Sequence, residues 1–136
     1  MRPKFRAWDG AKKEMFKDTF AITESGQVVV VEQEFVTSSP DYVFVDYLAI
    51  MQSTGLFDRN GQEIFEGDIV TDGDVISDIK YHQTLGFYMI GKYGFSVPFG
   101  QGVDVEYFEE FAVHVSKTFE VIGNIYENKE FLEDME

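Results

Sequence analysis

The stretch Leu56-Phe57-Asp58-Arg59-Asn60-Gly61-Gln62-Glu63-Ile64-Phe65-Glu66-Gly67-Asp68-Ile69-Val70 decides the fold class. Two short apolar runs, Leu56-Phe57 and Ile64-Phe65, flank Asn60-Gly61. That pair suits the positive φ angles of a tight hairpin turn, where a β-branched residue would be strained. Gly67 then allows a sharp bend, and Ile69-Val70 enters a further strand.

The same punctuation recurs on both sides. Asp9-Gly10 separates residues 5–8 from Met15-Phe16, and Ser25-Gly26 separates residues 20–22 from 28–31. Asp72-Gly73 stands between Ile69-Val70 and Val75-Ile76. Further strands are expected at 42–51, 79–81, 87–90, 95–99 and 118–126. Short apolar runs joined this way predict a meander or small barrel, not βαβ units. The stretch 103–115 reads two ways: Val105, Phe108 and Ala112 have helical spacing, whereas Val113 and Val115 alternate like a strand. A short helix is expected near the C-terminus within 128–136, capped by Asn128. Ser38-Ser39-Pro40 breaks the pattern, and the chain divides loosely into an N-terminal β part (1–52) and an SH3-like barrel part (53–136).

Composition agrees with this reading. Val, Ile, Phe, Tyr, Trp and Thr number 53 of 136 residues, against 14 Ala, Leu and Met. Branched and aromatic side chains favour pleated surfaces over helices, which argues against a helical bundle. No apolar run approaches the ~18–20 residues of a membrane span, and no secretory signal opens the sequence, so a soluble, cytoplasmic protein is expected. Without cysteine there is no disulfide framework, thiolate metal site or cysteine nucleophile.

The net charge is −14 and is unevenly spread. Residues 1–17 carry a net +4, so the remainder carries −18. An acidic body repels nucleic acid within about a Debye length, ~8 Å at physiological salt, and direct nucleic-acid binding is therefore disfavoured. The acidity serves solubility, or it imitates a phosphate backbone.

No catalytic constellation emerges. There is no G-x-S-x-G elbow, and the only histidines, His82 and His114, lack ligand spacing. Glu66 and Asp68 share a face if extended, but beside a glycine turn they read as structural. Asp72 and Asp74 flank Gly73 without the spacing or closing glutamate of a calcium loop. Gly100-Gln101-Gly102 lacks its third glycine, since Val105 stands there. No catalytic, metal or cofactor-binding residue is assigned, and no cofactor is expected. One constellation remains as a candidate interaction face. Arg2, Lys4, Arg6 and Trp8 form one row if residues 2–8 are a strand, with Phe5 and Ala7 on the other side. That row stacks on a partner ring or base, docks on acidic protein surface, or is an edge strand whose charges discourage association.

Three blocks resemble the YopX family of phage and prophage proteins: residues 4–9 (Lys-Phe-Arg-Ala-Trp-Asp), 51–70 and 121–128 (Val-Ile-Gly-Asn-Ile-Tyr-Glu-Asn). They occur in the expected order and span nearly the whole chain. The residues that carry the resemblance as a structural motif are Gln52, Thr54, Gly55, Asp58, Asn60, Gly61, Glu66, Gly67, Asp68, Gly123 and Asn124. It implies a mainly β fold of coiled antiparallel sheets with an SH3-like barrel, and a virus or prophage protein acting in a bacterial cytoplasm. It supplies no catalytic set. Phe57 departs from the pattern, standing where a basic residue is common. The expected function is a non-enzymatic accessory protein that binds a macromolecule, a protein or a second copy of itself. The alternative is an acidic DNA mimic that blocks a host nucleic-acid-binding protein, and the third reading is a small-molecule enzyme.

Overall fold

The computed structural model of the chain describes residues 4–17, 20–32, 39, 41–84, 86–91, 94, 96–99 and 105–133. Among these residues are thirteen strands and two helices. The protein is mainly β and built of several curled antiparallel sheets. It divides into two compact units, Lys4–Met51 and a second comprising chiefly Gln52–Glu136.

In the first unit, β1 (Phe5–Asp9) and β2 (Glu14–Phe16) form a hairpin with Ala7 opposite Phe16 and Trp8 opposite Met15. The turn falls where Asp9-Gly10 announces it, but Gly10 is not its left-handed residue. Lys13 is, at φ 55°. Asp9 compensates by accepting the amide protons of Ala11 and Lys12 on Oδ1, at 2.9 and 3.1 Å. A side chain that satisfies two turn amides stabilises a loop that needs no glycine at that point. A second sheet follows in the order β3-β4-β5, from Phe20–Ile22, Val28–Glu32 and Asp41–Val45. The span 42–51, expected as one strand, breaks at Asp46-Tyr47, and β6 (Leu48–Phe57) begins after it.

The second unit continues β6 into β7 (Glu63–Phe65), β8 (Asp68–Thr71) and β9 (Ile76–Asp78). Then come β10 (Lys80–His82), β11 (Gly86–Ile90) and β12 (Ser96–Pro98), which form a sheet in chain order. The helix α1 (Val105–Thr118), β13 (Glu120–Asn124) and the short α2 (Glu130–Glu133) complete it. β8 is central in the sheet β13-β8-β9, pairing Val70 with Val121 on one side and with Ser77 on the other. The ambiguous stretch is helical from residue 105 onward. Phe111, Ala112, Val115 and Phe119 just beyond the helix pack into the core with Leu56, Ile64, Val70, Ile79, Phe87 and Phe99. Spacings of four between 111, 115 and 119 place these on one stripe, and this outweighs the brief alternation at Val113 and Val115. Phe99 meets Phe111 and Phe119 edge-on, with ring centroids 5.5 and 5.9 Å apart. Asn128 does not cap α2 with its side chain. Its Oδ1 accepts the Asn124 amide proton at 3.2 Å, while its carbonyl accepts from Phe131 at 3.0 Å.

Candidate interaction surface

The polar residues of the central and closing motifs are spent on the backbone. β6 holds two more residues than β7 between the pairs Ser53–Phe65 and Phe57–Glu63, so the ladder is interrupted there. Thr54 replaces lost ladder bonds: its hydroxyl donates to the Ile64 carbonyl at 2.8 Å and accepts the Leu56 amide proton at 3.1 Å. Gly55 stands beside it at φ 78°, the conformation such a bulge requires. For Gln52 the main chain does the bridging, donating to Glu66 Oε1 and accepting from the Glu66 amide.

Buried Asp58 accepts three amide protons, from Asn60 and Gln62 on Oδ1 at 2.9 and 2.8 Å and from Val121 on Oδ2 at 2.9 Å. It thus ties the Asn60-Gly61 turn to β13. Buried Asp68 accepts the Phe65 amide proton at 2.8 Å across the Glu66-Gly67 bend. Gly67 itself bonds Ile79 through its N–H and Ile125 through its carbonyl. Asn124 Oδ1 accepts from Tyr126 and Glu127 at 3.0 and 2.9 Å, closing the final turn. These carboxylates and amides hold turns together, which is chemistry of folding.

The row of Arg2, Lys4, Arg6 and Trp8 is not assembled as an exposed face. Arg2 lies outside the described residues, and Lys4 is exposed. Arg6 and Trp8 are buried, at 5% and 9% exposure. Arg6 Nε donates to the Met51 sulfur at 3.4 Å. β1 lies between β2 and β6 in its sheet, and Arg6 through Asp9 are covered on both of its faces. Alternation assigns residues to faces but does not say which face meets solvent.

Among the described residues the most exposed large apolar side chains stand elsewhere, on β5 and just beyond it. Tyr42 and Phe44 are each 65% exposed, and Tyr47 just beyond is 59% exposed. Tyr42 and Phe44 share one face of the strand, and Val43 and Val45 the other. β5 is the last strand of its sheet among the described residues. Beside it an open groove of about 510 Å³ has Val28, Phe44, Val45, Asp46 and Leu48 in its walls. Among the described residues lining this groove, Asp46 is the single ionisable side chain. A lone carboxylate offers a contact but not the paired acid and base of hydrolytic chemistry. Residues 18–51 contain six Asp and Glu and neither Lys nor Arg. The sequence signal was available in Val28-Val29-Val30-Val31 and Tyr42-Val43-Phe44-Val45. Strands apolar at every position belong in sheets covered on both faces.

The histidines occupy unrelated roles. His82 Nδ1 accepts the Thr84 amide proton at 3.1 Å, and the His114 ring packs near Phe111 and Phe119. No group of three or more metal-ligating side chains occurs among the described residues. No helix among them is long and apolar enough to cross a membrane. Asp72 Oδ1 accepts from Asp74 and Val75, each at 2.9 Å. The Val75 amide bond above all holds this carboxyl below its ordinary value, with His114 charge assisting.

A family model described as YopX protein matches residues 4–133. The crystal structure of protein EF1440 from Enterococcus faecalis is similar to this chain, with 29% sequence identity and a TM-score of 0.60. The match covers 97% of this chain and 99% of that one. No curated protein matches the sequence.

Proposed function

Because the chain belongs to the YopX family, we propose that it is a non-enzymatic accessory protein of a phage or prophage that acts in the bacterial cytoplasm by binding another protein. One observation carries this reading: the exposed aromatics Tyr42 and Phe44 on strand β5 and Tyr47 just beyond it, at 59–65% exposure. Large apolar groups clustered at a sheet edge are costly in water and are characteristic of surfaces that a partner covers. Tyrosine and phenylalanine also supply much contact area for little conformational entropy, as anchors in protein interfaces do.

The test is affinity capture from host lysate with the parent chain and a Tyr42→Ser/Phe44→Ser variant whose melting temperature matches the parent. A protein retained by the parent and lost by the variant supports the reading. Equal retention by both removes β5 from the interface. Equal retention by both, with release of the partner by duplex DNA, identifies acidic mimicry of a nucleic acid instead, the alternative that the net charge of −14 raises.

A further inference from the structure

Resting on that reading, we propose that the partner contributes a basic extended segment, which adds to the outer edge of β5 as a fourth strand of the β3-β4-β5 sheet. Three observations converge on this occupant. β5 pairs with β4 from Val45 opposite Val28 to Asp41 opposite Glu32, and no further strand of its sheet lies beyond it among the described residues. A terminal strand directs half of its amide and carbonyl groups outward, where an extended peptide satisfies them.

The side chains are also placed for a strand. Tyr42 and Phe44 project on one face and Val43, 40% exposed, on the other. An added strand with apolar residues at alternate positions covers the Val43 row with these and sets its intervening side chains beside Tyr42 and Phe44. The charge decides which segment fits. Residues 18–51 hold six carboxylates and no cation, with Glu24 exposed at the β3–β4 turn and Asp46 in the groove wall. Lys or Arg in the incoming segment meets the exposed carboxylates of Glu24 and Asp46, and stacks on the ring faces of Tyr42 and Phe44.

A second copy of this chain is the poorer occupant. Pairing β5 with β5 brings two segments of the same sign together. In the chain's own basic stretch β1 pairs with β2 and Arg6 is buried, and the exposed Lys12, Lys13 and Lys17 flank β2, whose three residues span less than the five of β5.

The experiment uses the isotope-labelled full chain and three synthetic probes of about eight residues, enough to span β5. One alternates Val with Lys, one alternates Val with Glu, and one is the Lys probe with proline at alternate positions. Amide exchange and chemical shifts locate binding, and sedimentation reports oligomeric state. The Lys probe is expected to protect amides within residues 41–45 and to bind about tenfold more tightly than the Glu probe, at the low end of what a one-signed surface contributes. That advantage shrinks at high salt. The proline probe, lacking ladder donors, loses binding. Tyr42→Ser and Phe44→Ser weaken the interaction, and the two control probes decide the matter if either variant fails to fold. Equal binding of the Lys and Glu probes overturns the proposal, as does protection confined to other strands. Dimerisation of the chain alone with β5 protected overturns it in favour of a second copy. If no probe binds while the β5 variant still loses a captured partner, strand addition is wrong and the binding reading survives. If the variant retains that partner too, strand addition and the role of β5 both fall.

Discussion

At Gly61 the backbone stands at φ 78°, with open space where a side chain would begin. Substitution there meets no clash, so its cost is backbone strain alone. Gly61→Val is expected to lose about 1–3 kcal/mol of stability, the cost of holding a β-branched residue in a sparsely populated region. Urea unfolding measures it, and an unchanged midpoint with unchanged slope shows that the turn has another geometry. Gly123 presents the opposite case. Its φ is not left-handed, yet a Cβ there would collide with the Asn128 side chain. Gly123→Ala is expected to cost about 1–3 kcal/mol by overpacking. The same change in an Asn128→Gly background should cost clearly less, because the obstructing side chain is gone. Equal costs in both backgrounds would assign the need for glycine to something other than this contact.

Single carboxylates join whole elements. Asp58 connects the β6–β7 turn to β13 through three amide protons, one of them on Oδ2. Asp58→Asn keeps one acceptor oxygen but sets an NH₂ group against an amide donor on the other side. The expected loss is about 1.5–3 kcal/mol, the scale of bonds to a charged group, with faster amide exchange at Val121. Retained protection at Val121 refutes the link. Asp72 differs because Oδ1 alone accepts both amide protons, from Asp74 and Val75. Its asparagine variant therefore preserves the turn while removing the titration. With the folded pKa lowered, the stabilisation is present above the ordinary value of 3.8 and is lost as pH falls through the folded value. Thermal melts of Asp72→Asn should lie below the parent near neutral pH and converge with it in acid, giving a shallower acid limb. Parallel acid limbs would show that this carboxyl contributes nothing to the pH dependence.

Over the whole molecule the dominant quantity is the net charge of −14. Surface ion pairs such as Arg59–Glu120 and Lys80–Asp78 are exposed or half-exposed and individually weak. Self-repulsion among the carboxylates outweighs them. Raising ionic strength from about 0.01 to about 0.15 M shortens the Debye length from ~30 to ~8 Å. The melting temperature is expected to rise over that range, and a fall would mean that attractive pairs dominate. The same screening weakens attraction of a basic partner to the β3-β4-β5 sheet, so stability and binding are expected to respond to salt in opposite directions.

The amino-acid sequence by itself determined the strand-rich class and most turns, because these depend on local properties. Gly26, Gly61 and Gly73 all take positive φ where the turn dipeptides place them, and branched and aromatic residues fill the strands between. The helix at 105–118 was half legible. Its core stripe through Phe111, Val115 and Phe119 spans two turns, but neighbouring valines carry a competing alternation. Which apolar and charged residues meet solvent is not legible in this way and follows from tertiary packing. Arg6 and Trp8 are covered, since β1 is buried on both faces from Arg6 to Asp9. Tyr42 and Phe44 are bare because β5 ends its sheet. Periodicity says which side chains share a face, whereas exposure depends on what packs against that face, and that is set by contacts distant in sequence.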